Sequence, residues 1–325
     1  MDTIYCNNSN QIDNNNIPDE FVEITSLMRL RNRKMKGNLA KIIHTEFENN
    51  NEFLAEIIEN AVMSGNNYYI SFFTEILGES CNVGEAKRRF IGAILEMLNI
   101  HFEIQDCITN IDEYNDKNEQ NICRFVNKYG YSKSIIASNT ILSFVFQILS
   151  NSAFIKLSRR NRCELIEIIT KHIGKDGIEE GQMLKILCKN KQAYEDEKTR
   201  INKLKISSLY LASSEIIEKF AENLTERQIQ SIKNYVNNLY NVFDIYKKIK
   251  TEANENKIEG LLKRLEIVRK QANKQAINAG RNHGKLVDFI NYNCYIIDLV
   301  AKKQIKSDTI EENKISNNQQ TNNYL

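Results

Sequence analysis

A chain of 325 residues with a single proline and 12 glycines has very little of what tight turns are made from. Average usage would supply roughly 16 prolines and about 23 glycines over this length. Hairpins, tight turns and phosphate-cradling loops draw on those two residues, so their scarcity predicts an almost wholly helical protein. With 42% hydrophobic and 26% charged residues, the chain is neither disordered nor collagenous, and it is long enough to bury a substantial core.

Charge and cysteines exclude several functions. Forty-four Lys and Arg against 42 Asp and Glu leave a net charge of +2, too balanced for a general electrostatic attraction to nucleic acid or an anionic membrane. The seven cysteines, at 6, 81, 107, 123, 163, 188 and 294, form no CxxC pair, and the four histidines supply no HExxH. Structural zinc is therefore not expected, and the odd, scattered cysteines read as reduced thiols of a cytoplasmic protein. Residues 1–20 are polar and Asn-rich without the basic start and apolar run of a secretory signal. No uninterrupted apolar stretch approaches the roughly 20 residues of a membrane span, so no transmembrane segment is expected.

Apolar residues recur at three- and four-residue spacing, as in Phe53, Ile57, Ile58 and Val62 and then Ile91, Ile94, Leu95, Leu98 and Phe102. This is the helical period. Further helices are predicted over 134–149, 163–172, 179–188, 198–220, 226–250 and 258–271, with short polar breaks between them. The stretch 135–149, IIASNTILSFVFQIL, is apolar nearly all round, which predicts a helix in the middle of a bundle. The expected organisation is one helical domain over 21–305, with disordered Asn- and Gln-rich tails at 1–20 and 306–325.

Five segments in order resemble the trans-isoprenyl diphosphate synthase, or polyprenyl synthetase, family across roughly 53–300. LAEIIENAVMSGNNYYISFF is similar to the helix entering the family's Gly-Gly-Lys-Arg-x-Arg-Pro motif, with Gly65 at the first glycine. EMLNIHFEIQDCITNID lies where the first Asp-Asp-x-x-Asp motif stands. EEGQMLKI, with Gln182, resembles the Glu-Gly-Gln segment, and KLKISSLYLASSE, with Lys205, the Lys-Thr-x-x-Leu segment. YVNNLYNVFDIYKKIKT falls at the second aspartate-rich motif. The resemblance implies a single large all-α bundle of the isoprenoid synthase type around a central cavity. It also implies a dimer, and Mg²⁺ bridging two acidic helices to an allylic diphosphate, since a hard cation needs several converging oxygen ligands.

Position by position, those ligands are depleted. The first aspartate-rich motif reads Asp106, Cys107, Ile108, Thr109, Asn110, with one carboxylate of three. The second reads Lys247, Lys248, Ile249, Lys250, Thr251, so an acidic cluster has become basic. The diphosphate-binding motif reads Gly65, Asn66, Asn67, Tyr68, Tyr69, Ile70, Ser71, without a basic residue, and the arginine pair after the first aspartate-rich motif lands near Asn115 and Asp116. Gln182 and Lys205 remain as diphosphate-side residues.

Two structural expectations follow. On a helix Glu103, Asp106 and Asn110 share one face and form a minimal site for one divalent ion, centred on Asp106; a solvated helix end is the plainer alternative. Lys247 or Lys248 is expected to point at Asp106, an ammonium standing in place of magnesium. Asp244 and Glu252 are the nearest candidates for a second acidic partner. The basic runs GEAKRRF and KLSRRNR are expected to be a helix start and a solvated loop. The amphipathic stretch from Ile258 to Ala276 is expected to be an outer bundle helix, with a coiled-coil partner as the alternative.

The functional expectation is a non-catalytic or regulatory subunit of isoprenoid metabolism, without a cofactor, forming a homodimer or a heterodimer with an active synthase, and with room for an apolar isoprenoid ligand. One alternative is a divergent, Mg-dependent prenyltransferase or terpene synthase, which includes one acting on a peptide. The other is a helical protein-interaction scaffold.

Overall fold

The computed structural model describes residues 17–47, 52–64, 68–109, 121–151, 156–188 and 194–321. They form eleven helices: α1 (Asp19–Phe47), α2 (Glu52–Ser64), α3 (Tyr69–Ser80), α4 (Glu85–Thr109), α5 (Asn121–Ser150), α6 (Arg159–Ile173), α7 (Ile178–Cys188), α8 (Tyr194–Phe220), α9 (Glu226–Thr251), α10 (Glu255–Ala279) and α11 (Gly284–Thr321). Among the described residues there is no strand. Polar side chains start several of these helices. Ser158 accepts from Asn161 N, Thr225 and Gln228 form a reciprocal capping box, and Asn254 accepts from Lys257 N. The helix α11 runs to Thr321, so the boundary expected at 305 falls inside it.

The centre is α3 packed on α4, with α8 and α9 around them. Eleven of the twelve residues of α3 are buried, and α4 is buried from Ile94 to Ile104. Phe73 shows why so short a helix is held so firmly: its ring meets Tyr210 of α8 edge-on at 5.1 Å and lies parallel to Tyr235 of α9 at 6.3 Å. Gly92 lets α4 approach this closely, because a Cβ there would stand 3.2 Å from the Ser71 backbone.

This corrects the place expected for 135–149. Ile135 and Ile136 of α5 are exposed, and Gly130 breaks the helical geometry of α5 with φ 75°. Apolar composition all round a helix measures its hydrophobicity, but the number of faces buried is set by its neighbours. By length and mean hydropathy the span Ile122–Ser150 would suffice to cross a membrane, although its other face packs on α4 and α2. Of the apolar residues spaced along α2, Phe53 is exposed, whereas Ile57, Ile58 and Val62 are buried. The amphipathic helix α10 lies on the outside of the bundle, with Ile258, Leu265, Val268, Ala272 and Ala276 inward.

Candidate functional site

The end of α4 carries Asp106, the carboxylate on which the expected metal face was centred. Asp106 is buried, and its Oδ1 accepts a hydrogen bond from the Lys205 ammonium of α8. Lys185 Nζ, from α7, stands 3.8 Å from the same oxygen. Burial alone would raise the Asp106 pKa, but the positive charge around it, Lys205 and Lys185 included, holds it well below the usual carboxylate range. Gly181 makes this convergence possible. A Cβ at that position would lie 2.9 Å from both Leu204 Cβ and Lys205 Cγ, so α7 packs directly along the Lys205 stem. Gln182 is turned to α4 as well, donating to the Phe102 carbonyl at 3.2 Å.

The lysines at Asp106 are thus not the ones expected from the second motif. Lys248 pairs with Asp244, one turn away on α9, at 2.7 Å. Lys247 donates to Asn202 Oδ1 at 3.4 Å, and Thr251 returns its hydroxyl to the Lys247 carbonyl. The helical spacing of Asp244 and Lys248 satisfies that ammonium locally, whereas Lys205 has no carboxylate one turn away and reaches across to α4. Lys185 was missed as a separate residue. It lies three residues after Gln182, on the same face of α7, and that spacing was the available signal.

The metal face expected from Glu103, Asp106 and Asn110 is not assembled among the described residues; Asn110 lies outside them. Glu103 is buried and accepts from Asn99 at 3.0 Å. Asn99 also reaches Glu96, whose second oxygen accepts from the Ser71 backbone N–H at 3.0 Å. Burial, with Glu103 adding to it, pushes the Glu96 carboxyl up to about 8 against the pull of those hydrogen bonds. This buried row of two acids joined by an amide was not foreseen, because seven-residue spacing within a mostly apolar helix carries no distinct signal.

The diphosphate-binding positions are turned inward too. Gly65, Asn66 and Asn67 lie outside the described residues, as do Asn115 and Asp116. Tyr68, Tyr69, Ile70 and Ser71 are all buried; Tyr68 sits in the left-handed region at φ 53° and donates its hydroxyl to the Val62 carbonyl at 2.6 Å. Cys107 is not a free thiol. It forms a disulfide with Cys123 at the start of α5, across a sequence separation of 16. The reading of all cysteines as reduced is corrected here, because the fold returns α5 to the end of α4. Cys81, Cys163, Cys188 and Cys294 are free.

These donors do not fit magnesium. Asp106 is paired with an ammonium, Cys107 is in a disulfide, and the second-motif positions carry ammoniums that repel a cation. Among the described residues no group of three or more His, Cys, Asp or Glu is placed to hold a metal. The basic runs are engaged as helix starts. Arg88 donates to the Val83 carbonyl and Arg89 pairs with Glu85, while Arg162 donates to the Leu157 carbonyl and Arg160 pairs with Glu164.

An all-α bundle with these helices around α3 and α4 defines the prenyltransferase class of fold. The solved geranyltransferase of Legionella pneumophila superposes with a TM-score of 0.75 at 14% identity, covering 86% of this chain and 99% of that one. The FPP/GFPP synthase of Zymomonas mobilis gives a TM-score of 0.68 at 18% identity, with coverages of 84% and 99%. In sequence, the profile of the Polyprenyl synthetase family matches residues 52–247, and the chain belongs to that family. The farnesyl diphosphate synthase of Buchnera aphidicola is 27% identical over 179 residues, 55% of this chain, and the chain spans 62% of that relative's length.

Proposed function

We propose that this member of the polyprenyl synthetase family is a non-catalytic subunit that acts in isoprenoid metabolism by associating, as a homodimer or with an active synthase, through its helical surface. The observation that carries this reading is the Lys205 ammonium on Asp106, with Lys185 3.8 Å from the same oxygen. An ammonium occupies the coordinating direction of the remaining first-motif carboxylate, and lysines occupy the second motif. Chemistry that depends on Mg²⁺ stabilising a departing diphosphate finds no ligand set among the described residues. The buried Glu96, Asn99 and Glu103 add polarity to the face of α4 that would border an isoprenoid tail.

The rival reading is an active, divergent prenyltransferase. It is favoured by the likeness to proteins named as synthases and by Gln182 and Lys205, which the sequence resemblance reads as diphosphate-side residues. The test is product formation from radiolabelled isopentenyl diphosphate and a panel of allylic diphosphates with Mg²⁺, for the chain alone and mixed with a competent synthase. The proposal expects no turnover by the chain alone and an altered rate or product length in the mixture. Turnover by the chain alone that is abolished by Asp106→Ala would overturn it.

A further inference from the structure

Charge is spread unevenly over the outside of the bundle. The acids Glu255 and Glu259 are confined to the first turns of α10, and between residues 260 and 281 six basic residues stand against the single acid Glu266, in a chain whose net charge is only +2. Lys263, Ile267, Lys270, Lys274, Ile277 and, just past the end of the helix, Arg281 follow one another at spacings of four and three. They form one exposed stripe on the side opposite the buried Leu265, Val268, Ala272 and Ala276. Glu266 is taken by Arg269 and Lys270, whereas Lys263, Arg264, Lys274 and Arg281 form no salt bridge among the described residues. The flanking helices bring no counter-charge to them. From Ile229 to Phe243, α9 carries Lys233 and no acid, and Asp298 of α11 is paired with Lys302.

We propose that this face of α10 docks the protein on an anionic lipid bilayer. From residue 263 to residue 277 the stripe is a straight row about 21 Å long, which suits a flat sheet of negative headgroups. Ile267 and Ile277, 57% and 56% exposed, stand within that row. At a bilayer they enter the boundary between headgroups and acyl chains, while the lysine stems lie along it and hold their ammoniums at the phosphates. A nucleic acid would pair the cations but offer the two isoleucines nothing. A partner helix seated on the stripe would have to bury four cations at positions that a coiled coil keeps apolar. The apolar face of α10 stays in the bundle, so the protein lies on the membrane and does not cross it. This inference needs neither catalysis nor a partner subunit, and it stands or falls apart from the proposed function.

The test is co-sedimentation of the full chain with vesicles of phosphatidylcholine alone and of phosphatidylcholine with phosphatidylserine, beside a titration with a single-stranded oligonucleotide. The chain is expected to bind the phosphatidylserine vesicles, to leave the neutral ones in solution, and to be released by high salt. One basic residue near such a surface is worth roughly fivefold in partitioning. Lys263→Gln, Lys270→Gln and Lys274→Gln together should therefore weaken vesicle binding about tenfold or more, with an unchanged circular dichroism spectrum because all three side chains are exposed. Ile267→Ser with Ile277→Ser should weaken it severalfold while every charge remains. Equal binding to both kinds of vesicle, binding to neither, or full affinity in the double serine variant would each overturn the proposal. An oligonucleotide bound more tightly than the vesicles at equal phosphate concentration would overturn it as well, and would give the face to nucleic acid.

Discussion

At the end of α4 the carboxylate of Asp106 is sealed among lysines from two other helices, whereas on α9 the carboxylate of Asp244 keeps one oxygen without a donor beside a cavity. Both carboxylates hold ammoniums. They differ in what surrounds the charge. The Asp106 pair joins helices 99 residues apart in sequence and is buried on both sides, so it belongs to the packing of the bundle. The Asp244 pair is one turn of a single helix, with Lys248 39% exposed, so it ties nothing together.

The largest effect should come from breaking the sealed pair. Removing one partner of a buried ion pair leaves an uncompensated charge and costs about 3–5 kcal/mol. Asp106→Ala is therefore expected to lower the urea unfolding free energy by that order at pH 7. The double change Asp106→Leu with Lys205→Met should recover most of it, since an apolar pair needs no charge compensation. The pH sense is fixed as well. The Asp106 pKa is depressed in the folded chain, so its contribution is present above the unfolded value near 3.9 and is lost as pH falls below it. A double variant no more stable than Asp106→Ala would remove the distinction between the two regions.

The same region holds the disulfide. Cys107 follows Asp106 directly, and its bond to Cys123 closes a loop with a sequence separation of 16. A loop of that size is worth roughly 3 kcal/mol through the unfolded chain. Reduction, or Cys107→Ser with Cys123→Ser, should lower thermal stability accordingly. Thiol trapping of the unreduced protein should count five alkylated cysteines out of seven, if Cys6 is free. Seven would show that the bond does not form in solution.

How much of this was legible in the sequence depends on the range of the interaction. Helix type followed from the missing prolines and the apolar spacing at Ile91, Ile94, Leu95 and Leu98, because these are local properties of the chain. The emptied motifs were visible as residue types. What replaced them was not, since Lys205 meets Asp106 only when α8 packs beside α4, and Cys107 meets Cys123 only when α5 turns back. Charge type located an ammonium opposite Asp106; three-dimensional packing decided that it came from α7 and α8 instead of α9. The helix α5 makes the same point, since its apolar run read as central while its neighbours cover only one side.

A smaller effect separates Asp106 from another acid on its own helix. Glu96 is buried like Asp106 but faces Asn99 and the Ser71 N–H, with no ammonium bonded to it, and its pKa rises to about 8. The folded chain keeps this proton up to about pH 8, while the unfolded chain releases it near the model-compound value of 4.5. Unfolding between these values releases a proton, so stability should fall as pH rises through that window and level off above it. Glu96→Gln should flatten the slope, with its benefit greatest near pH 8. An unchanged slope in that variant would mean that Glu96 ionises without penalty.

The smallest effects belong to the open region, and they test it from the other side. Lys248→Ala removes the partner of a buried carboxylate, but the ammonium is partly exposed and solvent reaches the gap, so about 1 kcal/mol is expected. Lys257→Ala, at a side chain 69% exposed, should not move the unfolding midpoint measurably. Lys205→Met, which strips the buried Asp106 of its bonded ammonium, should by contrast lower stability strongly. If Lys248→Ala proved as destabilising as Lys205→Met, the α9 pair would be part of the packing as well, and the contrast between the two carboxylates would fail.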